Sequence, residues 1–208
     1  DAYQLAHPVT AISDDGSAVT PSILEQVFEN VKESGLYLIE HCEHHDTGAV
    51  NDGPVSRKLG VPGIPEDTEL KIVERDIDMS RKTGVHVHFQ HVSTAISFDA
   101  IRKAKAEGLP ITCETAPHYL LLCDEDLQED GRFKMNPPIR GRADQEALLR
   151  GILDGTIDMI ATDHAPHSAE EKAVLPVWKA PSGIIGLETA LGLAVTELVK
   201  KGHLTTMQ

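Results

Sequence analysis

The chain has 208 residues, 40% of them hydrophobic, which gives enough length and apolar content for one domain with a buried core. Its balance is acidic, 33 Asp plus Glu against 19 Lys plus Arg for a formal charge of -14, and no basic block is present to track a phosphate backbone, so nucleic acid is excluded as an expected partner. No run reaches the roughly 18 consecutive apolar residues of a membrane span, the first residues show no leader pattern, and Cys42, Cys113 and Cys123 form no C-x-x-C pair. The expectation is a cytoplasmic protein with reduced thiols and no membrane association.

In chain order, residues 9–13 read as a strand with Asp14-Asp15-Gly16 as its turn. Residues 21–34 read as a helix, with Thr20 as N-cap, Pro21 at the first helical position and Gly35 closing the far end. Residues 36–40 form the next strand, followed by a polar loop of about twenty residues, a length that marks functional loops. Leu70, Ile72, Val73, Ile77 and Met79 mark a helix over 66–82 that stops at Gly84. A strand over 85–89, a helix over 96–106 and a strand over 110–114 come next. The paired prolines keep 134–140 extended. A helix over 144–153, a strand over 157–162 and a long apolar helix over 187–200 complete the pattern.

Five strands alternating with helices define a parallel α/β sheet with right-handed crossovers. No G-x-G-x-x-G follows any strand, which disfavours an open dinucleotide-binding sheet. A (β/α)8 TIM barrel collects its chemistry at the C-terminal ends of several strands and needs about 250 residues. The expected architecture is therefore a partial TIM barrel, with residues 1–208 as one incomplete domain that lacks the first strands and a C-terminal extension.

Four apolar runs end in a residue able to bind metal: Asp15 after the first strand, then His41, His91 and Asp163. Imidazole and carboxylate suit zinc, and a catalytic zinc keeps an open position for water. Each histidine taken alone is more often structural, but the shared position at strand ends points to one assembled site. Asp14 is the alternative to Asp15, since Asp-Asp-Gly is also an ordinary turn. His86-x-His88 resembles a metal pair, yet strand alternation puts both on the face opposite His91, which favours packing. Asn136 and Arg140 lie in the Pro-Pro segment, where an amide and a guanidinium could read a polar ring and a carboxylate. His167 is within reach of a substrate, and glycines in 181–187 would let main chain approach a ligand. His44, His45 and His203 are left out of the site, and His164 has no assigned role.

The stretches Ile12-Ser13-Asp14-Asp15-Gly16, His41-Cys42-Glu43, His91-Val92-Ser93-Thr94, Asn136-Pro137-Pro138, 161–167 and 183–187 together resemble the dihydroorotases of the amidohydrolase superfamily, in the family's order and across nearly the whole chain. The resemblance implies a zinc-dependent barrel that interconverts dihydroorotate and N-carbamoyl-L-aspartate in pyrimidine synthesis. It implies that His41 and His91 bind one zinc, that Asp163 binds the other, and that Asp15 occupies the bridge. Asp163 would be the general base and acid, with Asn136 and His167 holding substrate. Hydantoinases, dihydropyrimidinases and allantoinases look similar but typically bridge their metals with a carboxylated lysine. The first lysine here, Lys32, falls inside a helix, so dihydroorotase is favoured. The family's His-x-His-x-Arg has no counterpart, and His44 stands where an acid is usual. Two further roles fit the same resemblance: a non-catalytic partner of aspartate transcarbamoylase, or a cyclic amidase of other specificity. A homodimer is a further expected assembly.

Overall fold

The computed structural model describes residues 9–14, 16–43 and 48–207. Strand β1 (Ala11–Ser13) leads through helix α1 (Leu24–Ser34) to β2 (Tyr37–His41). A small excursion follows: β3 (Val50–Asn51), α2 (Pro54–Leu59) and β4 (Gly63–Ile64). The main alternation resumes with α3 (Asp67–Thr83), β5 (Val87–Gln90), α4 (Ala95–Ala106), β6 (Ile111–Thr115), α5 (Pro117–Leu121), α6 (Arg142–Leu153) and β7 (Met159–Ile160). The last elements are α7 (Ala169–Lys172) and α8 (Ala190–Ala194), the latter running into a π-helical turn at Val195–Val199.

The five main strands form one wholly parallel sheet in the order β1-β2-β5-β6-β7. Sequential order with a helix in each crossover places the helices on one face, the topology of a TIM barrel opened along one side. On that face Leu38, Val87, Phe89, Ile111 and Cys113 pack against Phe28, Val31, Val73, Phe98, Ile101 and Leu148. Phe28, Phe89 and Phe98 are fully buried, and truncating such a residue to Ala costs about 3–5 kcal/mol. The opposite face, which lines the inside of a closed barrel, is less covered: Tyr37 and Met159 are 51% and 50% exposed, while His88 is buried against Thr112 and Glu114. Among the described residues no helix is long and apolar enough to cross a membrane.

Three expectations need correction. The first helix begins at Leu24 rather than Pro21, and its N-cap is Ile23, which makes no side-chain cap; Thr20 instead closes a turn, accepting from Ile23 N–H at 3.1 Å. The twenty-residue loop is folded: β3 pairs with β4, and Ala49, Val50 and Val61 join Leu127, Met135, Ile139 and Val177 in a second small core. The long helix expected over 187–200 starts at Ala190 and loosens into the π-helical turn.

Candidate active site

His41 is the last residue of β2, and the β1 turn holds it in place. Its backbone N–H donates to Asp14 Oδ2 at 2.8 Å, and its Nδ1 is bonded to Asp14 Oδ1. Asp14, the alternative to Asp15 in the turn, is the acid that contacts His41. Asp15 lies outside the described residues, as do His44 and His45. Burial alone would lower the His41 pKa, but the Asp14 hydrogen bond and charge, with Glu43 and Asp163 behind them, raise it instead.

His91 follows β5 directly, and its ring centroid lies 5.0 Å from that of His41. It is 4% exposed, and its Nδ1 is buried without a hydrogen-bond partner. Burial lowers its pKa against the pull of Asp163, so the imidazole is held neutral, the form that binds metal. The backbone at His91 is left-handed, φ 35°, and so is that at Asp163, φ 46°; among the described residues these are the two non-glycine positions with positive φ. Such conformations cost roughly 1–3 kcal/mol and concentrate at functional sites, where surrounding structure over-determines them.

Asp163 lies just past β7, and its charge is felt by both His41 and His91. Beyond it the chain is fixed to the 182–187 segment. Ala165 N–H donates to Ile184 O at 2.9 Å, and His164 Nδ1 accepts from Gly186 N–H at 3.1 Å, which gives His164 a structural role. His167 spends its Nε2 on Ser182 O at 2.9 Å and sets Nδ1 3.8 Å from Glu171. Gly183 is needed for a close approach, though to the chain's own backbone: at φ 143° an added Cβ would sit 2.4 Å from Ala165 O.

Asn136 reaches the site rim, where its amide donates to Glu43. Both line a cavity of about 460 Å³ shared with Cys42, Thr68, Glu69 and Met135. Glu43, unassigned from sequence, has its pKa pushed up to about 7, first by burial and against the pull of His41. Arg140 is buried rather than a surface residue, and it lines the same cavity. It is 4% exposed, and its guanidinium is bound to Ser93 Oγ, Asn51 Oδ1 and Ile64 O at 3.1, 3.2 and 3.0 Å. His86 and His88 take the packing role: both contact Thr112 Oγ1 at 2.9 Å, and His88 reaches Glu114 at 3.2 Å.

Two further groups had no sequence signal. His118, after β6, is 6% exposed with a partnerless Nε2, and its pKa is pushed down to about 3 by burial and then by His91. Glu40 is fully buried on the helix face, and desolvation, then Asp76, pushes its pKa up to about 9. Arg75 lies 3.7 Å from it but directs Nε and Nη2 at Asp76, at 2.8 and 2.9 Å.

Among the described residues no group of three or more His, Cys, Asp or Glu side chains is arranged to hold a metal ion. The described residues do bring two imidazoles side by side, one with an orphaned buried nitrogen, and both feel the Asp163 charge. Imidazole and carboxylate are donors that suit zinc.

A wholly parallel sheet in sequential order with helices on one face defines the class as a partial TIM barrel, the fold of the amidohydrolases it matches. Solved structures agree. Dihydropyrimidinase from Brevibacillus agri matches with a TM-score of 0.81 at 21% identity, over 95% of this chain and 47% of that one. L-hydantoinase (dihydropyrimidinase) from Arthrobacter aurescens matches with a TM-score of 0.78 at 26% identity, over 95% and 46%. No family profile matches the chain. Sequence narrows the class: the chain is 46% identical over 204 residues to a protein named dihydroorotase from Brevibacillus brevis, and 47% identical over 206 residues to one from Geobacillus thermodenitrificans. These alignments cover 95% of this chain and 48% and 47% of the relatives. The chain is homologous to the dihydroorotases along nearly all its length and spans about half the length of the curated relatives it matches.

Proposed function

We propose that this chain carries the acid–base residue and part of the zinc shell of a dihydroorotase, which opens dihydroorotate to N-carbamoyl-L-aspartate and closes it again in pyrimidine synthesis. The observation that supports this most is the meeting of His41, His91 and Asp163 at one sheet edge, the last two in strained left-handed backbone. His41 and His91 would hold one zinc, and Asp163 a second, with Asp15 at the bridge. Zinc would supply the Lewis acidity that activates water near neutral pH and polarises the amide carbonyl. Asp163 would take a proton at its carboxylate and return it to the leaving ring nitrogen, so that nitrogen departs neutral. Asn136, at the cavity rim, and His167, behind the Asp163 loop, would hold the substrate's polar groups.

The remaining zinc ligands and a substrate-binding arginine would come from strands that pair with the open edges of the sheet, β1 and β7. The test is zinc content and dihydroorotate hydrolysis in the longest natural polypeptide containing this chain. Zinc together with turnover supports the reading, and zinc without turnover overturns it. A protein that binds aspartate transcarbamoylase yet retains no zinc would instead have the non-catalytic role, and sedimentation of the same preparation tests the homodimer.

A second reading, a cyclic amidase of hydantoinase type, draws on the high TM-scores to dihydropyrimidinase and hydantoinase. Against it, Lys32 is exposed on α1 and does not reach the strand ends. A substrate panel of hydantoin, dihydrouracil and allantoin separates the two.

A further inference from the structure

We propose that Glu69 is a positioning residue for His91, holding the left-handed backbone that aims its imidazole into the site. Glu69 sits in the first turn of α3, 1% exposed, and both its oxygens are directed at the turn between β5 and α4. Oε2 accepts from Ser93 N–H at 3.1 Å and Ser93 Oγ–H at 2.5 Å, and Oε1 accepts from Thr94 N–H at 3.0 Å and Thr94 Oγ–H at 2.7 Å. Four donors from two consecutive residues on one carboxylate fix that turn as a rigid unit, since each residue is held by both its backbone N–H and its hydroxyl. Arg140 braces it from the far side, donating to Ser93 Oγ at 3.1 Å.

Between this clamp and β5 lie only His91 and Val92. Val92 is pinned to β6 on both sides: its N–H donates to Glu114 O at 2.9 Å, and its carbonyl accepts from Thr115 Oγ1 at 3.0 Å. With β5 fixed upstream by its ladder, the chain can enter the clamp only by turning at His91. The φ of 35° is the result. Without the clamp His91 would relax toward ordinary φ, and its side chain would swing away from His41.

The link to metal rests on the zinc reading above, and the test separates the two. Glu69→Gln, Glu69→Asp and, as a control for general loosening, Ile101→Val are made in the full chain. Metal-free protein is read by imidazole 15N shifts of His91, and zinc affinity by chelator competition. Glu69→Gln should move the His91 signals without metal and weaken zinc about 10- to 100-fold, the usual effect of losing an outer-shell partner. Glu69→Asp should recover part of both, and Ile101→Val should move neither. If Glu69→Gln does not fold, Ser93→Ala, which removes one donor, should give a smaller shift of the same kind. Unchanged His91 signals, or equal changes in Ile101→Val at matched melting temperature, overturn the proposal. Wild-type protein that takes no zinc overturns the metal reading alone, and the metal-free signals still judge Glu69.

Discussion

Asp14 and His41 are joined at two points, one carboxylate oxygen on the backbone N–H at 2.8 Å and the other on the ring Nδ1. The pair crosses from β1 to β2 at the end where the site lies, so the Asp14 carboxylate sets both the position and the orientation of the imidazole. Orienting bonds of this kind determine which ring nitrogen is free for a ligand.

Asp14→Asn should therefore weaken zinc binding about 10- to 100-fold. The fold should persist, because the amide oxygen can still accept from His41 N–H. Chelator competition against the wild type, with circular dichroism as the folding control, measures it. Unchanged affinity would make the Asp14 contact incidental to the site.

Lys172 is the structural anchor of the loops that carry Asn136 and Gly183. Its Nζ donates to Lys134 O, Pro181 O and Gly183 O at 2.9, 2.9 and 2.8 Å, and burial lowers its pKa. Lys172→Met keeps the stem but removes three hydrogen bonds, leaving Lys134 O only its bond from Gly183 N–H, and at about 1 kcal/mol or more for each bond the loss should be roughly 3 kcal/mol. Urea unfolding checks the figure, and a loss below about 1 kcal/mol would contradict the anchoring role.

His118 gives stability a pH dependence. Its folded pKa, about 3, lies below the unfolded value of 6.5. As pH falls below 6.5 the unfolded chain gains a proton that the native state refuses, so stability drops by about 1.4 kcal/mol per pH unit until the native ring titrates too. Above pH 6.5 the residue contributes no slope. Replacing it, as in His118→Gln, should remove this term from unfolding curves compared with wild type between pH 6 and 4. Parallel curves would show that the ring is protonated in the native state.

The strand ends were legible because each is an apolar run closed by a histidine or acid, and period-2 burial needs no knowledge of distant residues. His41, His91 and Asp163 could be named for that reason. Long-range polar partners leave no such trace. Glu69 lies between Thr68 and Leu70 in a helix whose apolar stripe alone was read, yet the buried face of α3 also includes Glu69, Asp76 and Ser80. The burial of Arg140 has no signal in its extended segment, because two of its acceptors, Asn51 and Ile64, lie in the folded excursion far away in the chain. The choice between Asp14 and Asp15 depends on turn geometry, which composition does not encode.

Asp163 is the residue on which the account depends. Zinc content and dihydroorotate hydrolysis should be measured side by side for wild type and Asp163→Asn in the longest natural polypeptide containing this chain. The account predicts a wild type that holds zinc and turns over, and a variant that keeps most of its metal while losing turnover, because the amide removes the proton carrier more than the ligand. Zinc and rate falling together in the variant, or a wild type that holds zinc and prefers hydantoin to dihydroorotate, would contradict it.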